Sequence, residues 1–277
     1  MNKIIVPIDF SKHSDYALET AAILAKRNNA EILALHMLEM AQNELIDSDE
    51  EQEMQTVFFM KLAEKRFNEF LEKDYLQGVT VTPVVKHFKV FREVSDVAKE
   101  HNADLIVMGS HGSSGLTEIF VGSNTEKVVR YSDIPVLIVK QEPVDVKFET
   151  VVFACDFSEE MVQPYLKACQ FFENSSSTLK LLYVNLPGAF FKSSTEMEAT
   201  VANFLKKADG NLDKLNDIHY IADYTVEEGV LNFANVVGGD LIAVPTHGRK
   251  GISHFFSGSI GEDIANHATL PVITFKI

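Results

Sequence analysis

Gly109, Gly112, Gly122 and Ser123 stand where a chain could cradle a phosphate, with two residues between the first two glycines and nine between the second and third. Glycines permit positive φ and close backbone approach, so successive N–H groups can form an anion-binding concavity. The segment begins just after the apolar run Leu105 to Met108 and ends where a helical pattern opens at Ser123. A helix start adds N–H groups and the positive end of a dipole, and the Ser123 hydroxyl can itself donate to a phosphate. A lone glycine pattern also makes plain turns. Here the pattern recurs, as Gly248, Gly258 and Ser259, with Pro245 in the place of the first glycine. Proline has a fixed φ and no N–H, so the second cradle is expected to bind weakly or not at all.

Other residues carry competing readings. Asp9 can face a ligand or cap the turn into the first helix, and its duplicate Asp156 beside the degenerate loop supports the cap. His111 and His247 repeat and His254 lies near, but no Cys/His cluster has ligand spacing, so no metal site is expected. Arg249 and Lys250 read as a solvated loop pair or as phosphate contacts in the second cradle. No Walker A lysine motif, Ser/His/Asp constellation or general base can be placed by spacing. The reading is a sensor rather than a catalyst, at most a weak ATPase. The rivals are a slow nucleotide hydrolase, with Asp9 holding a divalent ion, and a scaffold that binds no nucleotide.

The elements that must position these residues come in two copies. Lys3 to Ser11 recurs as Thr150 to Ser158, each an apolar run ending in Asp-Phe-Ser. Asp104 to Gly112 recurs as Asp240 to Gly248, and Ile134 to Val139 as Leu270 to Phe275. The offset falls from 147 at Asp9 and Asp156 to 136 at Gly112 and Gly248, so the second copy is shorter in its middle. The extra length is placed at the acidic stretch Asn43 to Glu53. Two domains are expected, 1–141 with an intact motif and 149–277 with a degenerate one, joined by a short polar linker near Gln141 to Asp145.

Runs rich in Val and Ile alternate with helical patterns, which predicts βα units and a parallel sheet. First-copy strands are expected at Lys3 to Ile8, Glu31 to His36, Thr80 to His87, Leu105 to Met108 and Val136 to Val139. The helices expected there are one capped by Ser11, a long one over about Glu51 to Tyr75, and two over Val94 to Asn102 and Ser123 to Tyr131. Second-copy strands are expected near Val151 to Cys155, Leu179 to Val184, Ile218 to Tyr224, Leu241 to Val244 and Val272 to Phe275. Pro164 either kinks the helix between the first two of these or marks its first turn. The fold class is α/β: two tandem doubly wound, five-stranded parallel-sheet domains of Rossmann-like type. In such sheets ligands bind beyond the carboxyl ends of the strands, where strand order reverses. The final strands are short and apolar, and such edges invite pairing; the two copies are expected to pair them as a pseudo-dimer, with further homodimerisation left open.

Forty acidic against 25 basic residues give a net charge of -15, a field that repels nucleic-acid phosphates and anionic lipid. No nucleic-acid or membrane partner is expected. The opening segment is too short for a signal h-region, no run reaches a membrane span, and Cys155 and Cys169 read as two buried thiols. A cytoplasmic location is expected.

The Ile-Val-Pro-Ile-Asp-Phe-Ser opening, Leu35-His36-Met37, Leu-Ile-Val-Met-Gly-Ser-His-Gly and Ile-Pro-Val-Leu-Ile-Val together resemble a tandem universal stress protein over essentially the whole chain. ATP-binding members of that family carry the same glycine spacing. The resemblance implies ATP or another adenine nucleotide as ligand, with or without magnesium. Asp9 and the backbone beside Met37 would then hold adenine and ribose, and the glycine loop with Ser123 and Asn124 the phosphates. The candidate set is Pro7, Ile8, Asp9, Met37, Gly109, His111, Gly112, Gly122, Ser123 and Asn124, with Asp156, Gly248, Gly258 and Ser259 as a degenerate second set. The chain departs from the family at Pro245 and at Val90 to Glu93, whose bulk would narrow the pocket where a small-residue turn is common.

Overall fold

The computed structural model describes residues 1–39, 49–88, 93–110, 122–144, 146–246 and 260–277. Its first half runs β1 (Lys3–Pro7), α1 (Lys12–Asn28), β2 (Glu31–Glu39), α2 (Asp49–Phe70), β3 (Val81–Phe88), α3 (Glu93–Glu100), β4 (Leu105–Gly109), α4 (Ser123–Tyr131) and β5 (Val136–Val139). The second half repeats this as β6 (Thr150–Ala154), α5 (Val162–Phe172), β7 (Thr178–Asn185), α6 (Ser194–Ala208), β8 (Ile218–Ala222), α7 (Val226–Val237), β9 (Leu241–Thr246), α8 (Ile260–His267) and β10 (Val272–Lys276). The ten strands form one sheet in the order β3-β2-β1-β4-β5-β10-β9-β6-β7-β8. Pairing is parallel within each half, and β5 lies antiparallel to β10 with Leu137 opposite Ile273. Each half is therefore a five-stranded doubly wound unit.

Helices cover both faces, so the strands are apolar without alternation. Ile4, Ile5 and Val6 are all fully buried: Ile4 and Val6 point to the face covered by α1, α2, α5 and α6, and Ile5 to the face covered by α3, α4, α7 and α8. Carboxylates one repeat apart fasten the base of the sheet in each half. Asp104 accepts from the backbone N–H groups of Asn2 and Lys3, and Asp240 from those of Glu149 and Thr150.

Three expectations about elements need correction or resolution. The long helix stops at Phe70, not Tyr75, and a 3₁₀ turn follows over Asp74–Leu76. The chain turns there because Lys73 and Tyr75 both reach back to the Asp15 carboxylate on α1, the Lys73 Nζ at 3.0 Å. Most of the first half's extra length lies in α2, which has 22 residues against 15 in α6 and takes in Asp49 to Glu53 of the expected acidic stretch; Asn43 to Ser48 lie outside the described residues. Pro164 lies in the first turn of α5, preceded by a 3₁₀ turn over Glu159–Met161. A first-turn residue needs no intrahelical N–H bond, so the proline starts the helix without kinking it. Of the thiols, Cys155 is buried but Cys169 is only half-buried, bonded to Tyr165.

Candidate functional site

β1 ends at Pro7, opposite Leu35 of β2, and one further bond from the Ile8 N–H to the Leu35 carbonyl closes the pair at 2.8 Å. Ile8 is buried, and its carbonyl contacts His36 Nδ1 at 2.7 Å. A carbonyl only accepts, so Nδ1 carries the hydrogen. Burial holds the His36 pKa below the ordinary imidazole value, opposed by that same bond. Beyond Leu35, β2 continues with Met37 opposite Lys86 of β3, so Met37 stands past the end of β1.

The chain then turns. Asp9 Oδ1 accepts from the Ser11 N–H at 3.0 Å, and Phe10 between them has φ 63°. The second half repeats the turn: Asp156 Oδ1 accepts from the Ser158 N–H at 2.9 Å, and Phe157 has φ 55°. Both aspartates thus serve the turn, and for Asp9 this leaves the ligand-facing role a proposal. Positive φ on a bulky residue is strained, and packing holds it: the Phe10 ring lies 4.6 Å from His36 and 5.4 Å from Phe67. Phe157 stacks on Tyr183 at 5.9 Å. The repeated Asp-Phe-Ser was the sequence signal for this turn, but its strained phenylalanine was missed.

Gly109 ends β4, opposite Val139, in extended backbone without positive φ. It is a glycine for another reason. A Cβ there would lie 2.6 Å from the carbonyl oxygen of His13 in the first turn of α1. The left-handed torsion that would have excluded proline from this position is therefore absent. Pro245, its counterpart, extends β9 opposite Phe275, and the start of α5 beside that half's turn is remodelled into the 3₁₀ turn over Glu159–Met161.

From β4 the chain reaches Ser110, buried, whose carbonyl accepts from the Gly122 N–H at 2.6 Å. Gly122 is the N-cap of α4 and provides no side-chain acceptor. Ser123 opens the helix and Asn124 is half-buried behind it. Thr125, which sequence reasoning missed, donates from Oγ1 to the Gly109 carbonyl at 2.9 Å and fixes the helix start against the strand end. By contrast α1, α6 and α7 are capped by the side chains of Ser11, Ser193 and Thr225. The α4 start thus offers N–H groups and a positive dipole end at the carboxyl edge of the sheet.

The structure brings Pro7, Ile8, Asp9, Met37, Gly109, Gly122 and Asn124 to one edge. His111 and Gly112, Val90 to Arg92, the side chain of Ser123, and His247, Gly248, Arg249, Lys250, His254, Gly258 and Ser259 lie outside the described residues. Among the described residues no cluster of His, Cys, Asp and Glu could hold a metal ion, and no helix is long and apolar enough to cross a membrane. A cleft of about 900 Å³ between α1, α5 and the linker is lined by Arg27, Pro135, Phe148 and Phe172, but by none of the sequence-predicted site residues.

The model of the universal stress protein family matches residues 1–140 and again 147–276. The chain is 29% identical over 154 residues to the universal stress protein MJ0577 of Methanocaldococcus jannaschii, covering 50% of this chain and 95% of that one. It is 32% identical over 152 residues to the universal stress protein YxiE of Bacillus subtilis, covering 50% and 99%. A universal stress protein structure from Archaeoglobus fulgidus superposes over 99% of this chain and 96% of its own, with TM-score 0.64 and 20% identity.

Proposed function

The chain belongs to the universal stress protein family, and from that premise we propose that its first half binds ATP or a related adenine nucleotide as a regulatory ligand in a cytoplasmic stress response. The observation that carries this reading is the start of α4, where the N-cap residue Gly122 brings no side-chain acceptor of its own to the first-turn N–H groups beside the end of β4. Side-chain capping is the preferred way to satisfy a helix start, as Ser193 does for α6; α5, which follows a 3₁₀ turn, also lacks such a cap, so the reading rests on this start of α4 together with its place at the end of β4. The phosphates sit on Gly109, His111, Gly112, Gly122, Ser123 and Asn124. Adenine and ribose lie along Pro7, Ile8, Asp9 and Met37, with or without magnesium on the phosphates. The second half, with Asp156, Gly248, Gly258 and Ser259, binds weakly or not at all. The two functional units are 1–141 and 149–277.

The test is mass analysis of small molecules released from the freshly purified protein, followed by calorimetric titration with ATP. One adenine nucleotide per chain is expected, with binding lost in Gly112→Val. Absence of any nucleotide from the preparation together with no heat of ATP binding would overturn the reading.

A further inference from the structure

Half of the exposed large apolar side chains among the described residues fall within one stretch of α2: Met54, Val57, Phe58, Phe59, Met60 and Leu62, with Met54 and Phe58 74% and 63% exposed. The stretch belongs to the longer helix of the first half, and α6, its shorter counterpart, carries no exposed large apolar residue. Spacing of four puts Met54, Phe58 and Leu62 on one stripe. At 100° per residue that stripe faces away from Ala63 and Phe67, the α2 residues buried against the sheet. A soluble surface rarely leaves such a stripe uncovered.

We propose that α2 pairs with α2 of a second copy of this chain, antiparallel and centred on Phe58. Charge selects both the occupant and the direction. Asp49, Glu50, Glu51 and Glu53 crowd the first five positions of the helix without a cation, while the segment from Lys61 onward carries Lys61, Lys65 and Arg66 against Glu64 and Glu69. About a two-fold axis at Phe58, Met54 meets Leu62 of the second copy, and Glu51 meets Lys65 of the second copy. A parallel pair would set the acidic ends against each other. The contact is self-complementary, as a two-fold interface requires. The contact is one stripe on a helix that is itself only about 33 Å long, at the small end of specific interfaces, so the dimer is weak and reversible.

Sedimentation velocity on the full chain in low salt, from about 5 to 500 µM, tests this. The expected result is a concentration-dependent monomer–dimer equilibrium that Phe58→Glu abolishes. Glu51→Lys and Lys65→Glu each weaken it about tenfold, and combining the two restores it. Phe58 and Lys65 are exposed and Glu51 lies in the first turn of the helix, so unchanged circular dichroism is expected for all variants. The proposal is overturned by a chain that stays monomeric throughout, by a dimer indifferent to Phe58→Glu, by charge reversals that fail to rescue each other, or by a stripe that binds anionic vesicles without self-association.

Discussion

Lys140, just past β5, donates from Nζ to the carbonyl of Asn266 in the last turn of α8, at 2.6 Å, and so reaches from the first half into the second. One repeat later the reverse contact appears: Lys276 donates to the carbonyl of Tyr131, the last residue of α4, at 3.3 Å. Helix ends leave carbonyls unpaired and carry the negative end of the dipole, so a cation there is stabilising. Each half thus caps the far end of the other half's α4 or α8, and in α4 the near end is the proposed phosphate site. The two clasps differ in charge. Lys276 also pairs with Asp133 at 2.8 Å, whereas the carboxylate acting on Lys140 is Glu227, itself 2.6 Å from His267 Nδ1.

Burial makes the Lys140 clasp sensitive to alkaline pH. Burial pulls the Lys140 pKa from 10.5 to about 8, opposed by the charge of Glu227. Between those two values the unfolded chain holds more of the proton than the folded one, so this group makes stability rise with pH across that window. Below about 8 both states are protonated and the contribution is flat. Urea unfolding of the protein and of Lys140→Met from pH 7 to pH 11 is expected to give a stability difference that grows in favour of the unsubstituted chain between pH 8 and 10.5. A difference that does not change with pH would show that Lys140 titrates normally.

Gly109→Ala is expected to destabilise the protein without any nucleotide present. The added methyl would sit 2.6 Å from the His13 carbonyl oxygen and 2.7 Å from its carbonyl carbon. Backbone atoms in the first turn of α1 cannot swing aside as a flexible side-chain tip can, and overpacking of this kind costs about 1–3 kcal/mol. Urea denaturation of the ligand-free variant reads the loss. Unchanged stability would mean that α1 shifts freely.

This glycine marks the limit of what was legible in the sequence. Strand positions were readable to within a few residues because runs such as Ile4 to Val6 are buried on both faces and admit only apolar residues. The duplication was readable because it survives at residues with one local task, such as Asp9 and Asp156 in their turns. Gly109 was read as a ligand residue, yet its neighbour across space, His13, already forbids a side chain there. Asp104 and Asp240 entered only as the first residues of a repeated segment, since the N–H groups they hold are 90 to 102 residues away. Lys140 gave no signal either, because its partner lies 126 residues on. Local tasks write local patterns, whereas a contact between distant segments leaves one ordinary residue at each end.

Thr125 offers a way to loosen the proposed phosphate site without touching the glycines. Its buried hydroxyl donates to the Gly109 carbonyl at 2.9 Å and ties the first turn of α4 to the end of β4. Thr125→Val keeps the shape and removes the donor, leaving a carbonyl without that bond, at a cost of about 1–2 kcal/mol in stability. Nucleotide affinity is expected to fall as well, because the N–H groups of α4 would no longer be held in place. Calorimetry and urea unfolding on the same variant check both, and a stable variant with full affinity would remove Thr125 from the site.

Pro245→Gly tests why the second half is expected to be silent. If the proline blocked binding through its torsion, restoring glycine would open the site. The corresponding residue, Gly109, is extended, and β9 runs through Pro245 to Thr246 as a regular strand opposite β10. The second half differs more deeply. Its first helix starts late, after a 3₁₀ turn, and the end of β7 is closed by Asn185, whose amide holds both the N–H and the carbonyl of Lys192 at 3.0 and 2.9 Å. With the first site removed by Gly112→Val, the added Pro245→Gly change is therefore expected to leave ATP titration flat. A second-half site appearing on that background would return the asymmetry between the halves to the proline alone.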